Sequence, residues 1–259
     1  MDETQKENLR ILACDLAQNA GILLKLPQVV IATAQMLIQR VYHTEEYPLD
    51  KYHIDVTSMA ALFLASKIEE SPRKARQVIE VFSHVISRKL KIDVDLSSKE
   101  CERVREELIT SERRLLKTLG FNLLSSHPHK IIITYYNVIV GRLDPDGDVW
   151  SERLSRKILQ RAWNYCNDSL RLDIYLRYPK EAVAFACVQL ACEDFQMAFP
   201  KASDGREWYC LFIRDPEEVR SSIETIRDLY KRDRIVASDY RRHIYLTKYQ
   251  LRTKSRRRH

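Results

Sequence analysis

The chain has 259 residues, 45% of them hydrophobic and 31% charged, enough for one large or two smaller cores and too apolar for a disordered protein. Its five glycines all stand alone, which excludes a glycine-rich phosphate loop and argues against a hairpin-rich β fold. The net charge of +7 is lopsided: residues 231–259 hold 11 of the 43 basic residues and two of the 36 acids, so they carry +9 and the remaining body is near neutral at −2.

The opening Met1-Asp-Glu-Thr-Gln5 is polar, unlike a secretory leader, and no apolar run approaches the ~20 residues that span a bilayer. We therefore expect a soluble intracellular chain whose six cysteines (Cys14, Cys101, Cys166, Cys187, Cys192, Cys210), none in C-x-x-C spacing, are reduced and pack as small hydrophobes.

In chain order, apolar residues recur at helical spacing. Leu9, Leu12, Ala13, Leu16 and Ala20 form the first stripe; after Pro27, Val30, Ile31, Ala34, Leu37, Ile38 and Val41 form the second. Residues 58–66, Ser-Met-Ala-Ala-Leu-Phe-Leu-Ala-Ser, are apolar on nearly every side and predict a helix enclosed by neighbours. It runs to Lys67, in a last turn where the helix dipole favours a cation, and stops at Ser71-Pro72. Ala75, Val78, Ile79, Phe82, Val85 and Ile86 mark the next helix. The capping box Ser97-x-x-Glu100 opens another, carrying Val104, Leu108, Leu115 and Leu119, with Glu112 among them. His127-Pro-His129 reads as a helix start rather than a metal pair, since no further ligand lies at suitable spacing.

Gly141-Arg-Leu-Asp-Pro-Asp-Gly-Asp148 is turn-rich; its alternating aspartates depart from a calcium loop at Val149 and Ser155. Leu154, Ile158, Ala162 and Tyr165 then form a stripe, and residues 182–192 form a second all-round apolar segment after Pro179. Asp215-Pro216-Glu217-Glu218 is a full helix start, followed by Val219, Ile223, Ile226 and Tyr230. The two enclosed segments align, Ala60 to Lys67 on Ala186 to Glu193, at an offset of 126 residues, the trace of a duplicated helical unit. The expected division is an N-terminal helix at 1–22, one unit at 23–140, a second at 141–235 and a basic tail at 236–259.

No catalytic, phosphate-loop or zinc motif is present, so no enzyme activity, cofactor, metal, membrane or small-molecule substrate is expected. On spacing alone Lys67 pairs with Glu70 on its own helix, and Glu112 with Arg105 or Lys117. Nothing in that pattern raises either above a surface charge.

A resemblance does. Leu62-Phe-Leu-Ala-Ser-Lys-Ile-Glu-Glu70 and Glu112-Arg-Arg-Leu-Leu-Lys-Thr-Leu-Gly-Phe121 resemble the second and fourth helices of a cyclin box. Ala20-Gly-Ile-Leu-Leu-Lys-Leu-Pro-Gln28, Ser66-Lys-Ile-Glu-Glu-Ser-Pro-Arg73, His127-Pro-His-Lys-Ile-Ile132 and Ala162-Trp-Asn-Tyr-Cys-Asn-Asp-Ser-Leu-Arg171 narrow it to the L-type cyclins. The resemblance implies an all-α fold of tandem five-helix cyclin boxes, with an extra N-terminal helix and a basic C-terminal tail. It also implies a non-catalytic nuclear subunit that activates a cyclin-dependent kinase, of PITSLRE type, in RNA polymerase II transcription and pre-mRNA splicing.

In cyclins the Lys and Glu aligned with Lys67 and Glu112 approach each other and hydrogen-bond the backbone around the kinase's C-helix, while positions matching Ile68, Leu116, Phe121 and Leu123 pack beside them. Glu193 stands at the place of Lys67 in the second copy, which confines the grip to the first. The basic residues Lys254, Arg256, Arg257 and Arg258 read as a nuclear localisation signal, an arm for RNA or splicing factors, or the stub of a longer Arg/Ser-rich region. The competing expectation is a TFIIB-like transcription factor of the same fold that binds DNA, which the near-neutral body disfavours.

Overall fold

The computed structural model describes residues 2–143, 152–197, 208–233 and 235–250. Their regular structure is helical and falls into two compact units, one of Met1–Leu124 with Arg234–His259, the other of Ser125–Asp233.

The first unit contains α1 (Glu3–Leu23), α2 (Gln28–Tyr42), α3 (Ile54–Ile68), α4 (Ala75–Leu90) and α5 (Ser98–Thr118). The capping box is formed as expected: Ser97 Oγ accepts from Glu100 N–H, and Glu100 Oε2 accepts from Ser97 N–H at 2.9 Å. Helix α3 is the centre of the unit, packed by α1, α2, α4 and α5 and buried along its whole length except at Lys67 and Ile68. Close packing needs small residues. A Cβ on Gly21 of α1 would lie 2.5 Å from Ile31 Cγ1 on α2, so this crossing requires glycine.

Four helices of this unit stop in the same way. After α1, α3, α4 and α5 the chain turns through left-handed backbone at Lys25, Glu70, Lys91 and Gly120, and the next N–H reaches back to the helix: Leu26 to Gly21 O, Ser71 to Ser66 O, Ile92 to Ser87 O and Phe121 to Leu116 O at 2.8–3.1 Å. Only one of the four turns uses glycine; a side chain in that conformation costs roughly 1 kcal/mol. A chain this poor in glycine thus stops its helices sharply without announcing it in sequence.

The second unit contains α6 (His129–Leu143), α7 (Glu152–Ser169), α8 (Ile174–Arg177), α9 (Lys180–Asp194) and α10 (Pro216–Lys231). Asp215 caps α10, accepting from Glu217 N–H at 2.9 Å, with Pro216 as its first residue. His129 opens α6, hydrogen-bonded to Asn167 Oδ1 at 2.9 Å with its ring tilted against Trp163, and its burial lowers its pKa. The duplication extends to element boundaries: α3 and α9 begin and end 126 residues apart, as do the starts of α1 and α6. Helix α6 packs on α7 and α9 as α1 packs on α2 and α3, and α10 packs on α9 as α5 packs on α3.

The packing shifts three sequence-based boundaries. The helix expected in front of the first repeat, α1, has a counterpart in α6 and is part of the repeat. The division expected at 140/141 falls in the last turn of α6, whose partners α7 and α9 place it in the second unit. Much of the expected tail is folded: Ala237–His243 and Tyr245–Tyr249 form 3-10 turns packed on the first unit. The aspartates at 144, 146 and 148 lie outside the described residues, as do Lys254, Arg256, Arg257 and Arg258.

Candidate functional site

Because α3 is enclosed on all sides, its C-terminal end is the one place where it offers side chains to a partner, and those side chains are Lys67 and Ile68. Lys67 is not paired along its own helix. Its Nζ reaches across to Glu112 Oε1 on α5 at 2.5 Å and lies 4.0 Å from the centre of the Phe63 ring, one turn back on α3. Of the two local partners expected for Glu112, Arg105 bonds Glu102 instead, and the bond that Glu112 makes is to Lys67.

The pair is unequal. The Glu112 side chain is 11% exposed and that of Lys67 45% exposed. Screening limits such a half-exposed pair to about 1 kcal/mol. Losing Lys67 costs more than this, because a nearly buried carboxylate would be left without its cation. An ammonium has three donors and a carboxylate about four acceptor sites. The single bond between them leaves both able to bond a partner's backbone while each holds the other in place.

The turn that presents Lys67 is braced from behind. Thr33 of α2, fully buried, donates to Glu69 Oε1 at 2.7 Å. The Arg73 guanidinium donates to the carbonyls of Leu24, Lys25, Ser71 and Pro72, tying the end of α1 to the segment after α3. The site is therefore held by fixed backbone, as a preorganised grip requires.

Leu116 lies one turn beyond Glu112 on α5 and is partly buried against the core, as are Ile68 and Leu123. Phe121 is 69% exposed in the turn after α5, and Leu124 just beyond it is 92% exposed. Large apolar side chains so exposed at a helix end form a surface that a partner can cover. The structure places Lys67 and Glu112 in direct contact and Leu116 and Phe121 at the end of the same helix that carries Glu112.

Two features escaped sequence reasoning. Phe63 had a signal, sitting four residues before Lys67, but the apolar run around it reads as core throughout. The other is an open groove of about 660 Å³ bordered by Phe63, Ile79, Leu96 and Cys101, with Arg76 and Arg105 among the residues lining it. It needs α3, α4 and α5 folded together.

The second unit inverts this chemistry on the same scaffold. Glu193 stands at the place of Lys67 and bonds Arg227 on α10, while Gln189, at the place of Phe63, donates to Glu193. Asp194 replaces Ile68 and is held by Arg161 Nε at 2.5 Å and the Tyr165 hydroxyl at 2.8 Å.

Residues 1–124 match the family model for the N-terminal domain of cyclins, which ends where the first stretch of unit 1 ends, and residues 149–231 match that for the Cyclin-T2-like C-terminal domain. Among curated proteins, Cyclin-L1 of Gallus gallus is 38% identical over 242 residues, covering 92% of this chain and 42% of that one. Cyclin-L2 of Homo sapiens is 38% identical over 237 residues, covering 91% and 42%. The chain thus spans less than half the length of these relatives. Among solved structures it is similar to a chain of the yeast RNA Pol II CTD kinase CTDK-1 complex, with 19% identity, a TM-score of 0.62, and 89% of this chain and 67% of that chain covered. A chain of the CAK complex from Chaetomium thermophilum bound to ATP-gamma-S matches with 19% identity, a TM-score of 0.60, and 97% and 72% covered. At this identity the two structures speak for the fold alone.

Proposed function

The chain belongs to the cyclin family, with L-type cyclins as its relatives, and from that premise we propose that it is the non-catalytic regulatory subunit of a cyclin-dependent kinase. The observation that carries this reading is the bond between Lys67 and Glu112, which joins the exposed end of the buried α3 to α5 beside the exposed Phe121. A protein kinase is active when its C-helix is turned inward, so that a glutamate on it pairs with the lysine that orients ATP. A rigid surface that binds only the inward form shifts the population toward it. Lys67 and Glu112 would bond the backbone at the end of that helix and fix its orientation. Ile68, Leu116, Phe121 and Leu123 would pack on its apolar residues and supply most of the affinity.

The resemblance of the sequence motifs to L-type cyclins is what extends the proposal to a setting. The kinase is of PITSLRE type, and the complex acts in the nucleus in RNA polymerase II transcription and pre-mRNA splicing. The basic run at Lys254 and Arg256 to Arg258 serves nuclear entry or contacts RNA or splicing factors. The test is capture of kinase activity from nuclear extract by the wild type and by the Lys67→Ala/Glu112→Ala double variant. The wild type should recover cyclin-dependent kinase activity and the double variant a small fraction of it. Equal recovery would contradict the site assignment, and recovery of no kinase by either would contradict the function.

A further inference from the structure

The part of the molecule that the proposed function leaves unused is the segment that returns from the second unit to the first. Leu246 is completely buried there, Ile244 nearly so, and the Tyr240 hydroxyl accepts from the Asn8 side chain of α1 at 3.0 Å. Gln250 forms an antiparallel bridge with Val94. The centre of the contact is Asp55, in the first turn of α3 and fully buried, whose two carboxylate oxygens accept from Tyr245 N–H at 2.8 Å and Leu246 N–H at 2.9 Å. These are the first two N–H groups of the turn Tyr245–Tyr249, which no helical carbonyl can satisfy and which Ile244, at its cap position, cannot bond with a side chain. One carboxylate on α3 thus caps a turn about 190 residues later in the chain.

Asp55 and Lys67 stand near opposite ends of the same enclosed helix, and the residues between them are buried. We propose that residues 237–250 are a strap belonging to the grip: seated on Asp55, it fixes the N-terminal end of α3 so that the other end presents Lys67 to the kinase. Asp55 and Leu246 are on this account positioning residues that act through α3. The strap is held by those two residues together with the Tyr240–Asn8 bond and the Gln250–Val94 bridge. The proposal rests on the kinase reading for its functional half and on the contacts of the segment with the first unit for its structural half.

The test uses the full chain with Leu246→Ala, Asp55→Asn and, as the conservative control, Leu246→Met. Asn keeps the shape of Asp55 but puts an N–H₂ group where an acceptor is needed, so the milder variant remains informative where Leu246→Ala unfolds the unit. Amide exchange is followed in α3 and, as an internal standard, in α9, together with capture of purified cyclin-dependent kinase. Leu246→Ala and Asp55→Asn should speed exchange in α3 at least about tenfold, leave α9 unchanged and lower capture about tenfold with Lys67 and Glu112 intact, while Leu246→Met stays near wild type. Wild-type exchange in α3 in both variants would overturn the strap. Faster α3 exchange with wild-type capture would overturn its link to the grip. Absence of capture by the wild type itself would overturn the kinase reading and leave the exchange result to decide the strap.

Discussion

The two units share a central helix of the same length and register, yet one edge leaves apolar and charged side chains open while the other closes on itself. At the end of α3 the side chains in sequence are Phe63, Lys67 and Ile68; at the end of α9 their counterparts are Gln189, Glu193 and Asp194. On α3 the cation rests on a ring and holds a single carboxylate oxygen. On α9 each acid is taken up within the unit, Glu193 by Arg227 and Gln189, and Asp194 by Arg161 and Tyr165. The scaffold is therefore neutral with respect to function. The two edges differ in an apolar neighbour beside a charge whose bonding capacity is only partly used, and that difference is what the proposed function assigns to binding.

The comparison can be broken most severely by giving the first edge the second edge's chemistry. Lys67→Glu with Glu112→Arg keeps a pair between α3 and α5, so the unit should remain folded, with an unchanged urea midpoint. Kinase affinity, read by titration, should nevertheless fall about 30-fold or more, the cost of misplacing a charge pair at a buried contact. Next is Ile68→Asp, the residue found on α9. Its carboxylate has no Arg161 or Tyr165 to receive it, and the affinity should drop about tenfold in the same titration.

A third change tests the scaffold rather than the edge. Gly21→Ala brings a methyl against Ile31 and should lower stability by about 1–3 kcal/mol in urea unfolding, through the α1–α2 crossing. A smaller effect separates the units by pH. Burial holds the His129 pKa below the ordinary 6.5, so the unfolded chain takes up a proton first as the pH falls. The contribution is complete above pH 6.5 and is lost progressively below it, toward the folded pKa. Protection from amide exchange in α6 and α7, taken relative to the intrinsic rate at each pH, should therefore fall between neutral pH and the acid range more than it does in His129→Gln. The smallest effect is expected from the reciprocal swap, Glu193→Arg with Arg227→Glu, which should change kinase affinity within about twofold.

Most of the fold was legible because it is written in local pattern. The stripes, the prolines at 27, 179 and 216 and the capping box at Ser97 locate helices whose apolar faces repeat at helical spacing, and the offset of 126 residues between two enclosed segments marked the duplication. Three things were not legible, each for a physical reason. The stops at Lys25 and Glu70 use ordinary residues in a conformation associated with glycine, so composition conceals them. The boundary of the units depends on which helices α6 packs against, a matter of tertiary contact. The docking of Leu246 on Asp55 joins residues 191 apart, and a lone aspartate in a first turn looks like any helix start. The site itself was half visible. Spacing placed Lys67 at a helix end and Glu112 on another helix, but nearby opposite charges offered each a local partner; the resemblance implied that the two approach each other, and the fold shows the bond.

In the proposed function the first edge is the one that meets the kinase. The direct measurement is amide exchange of the full chain with and without bound kinase. Binding should slow exchange in the peptides covering 63–71 and 112–124 and leave those covering 189–197 and 224–231 as they are in the free protein. Slowing confined to the α9 and α10 peptides, with α3 and α5 unchanged, would contradict it.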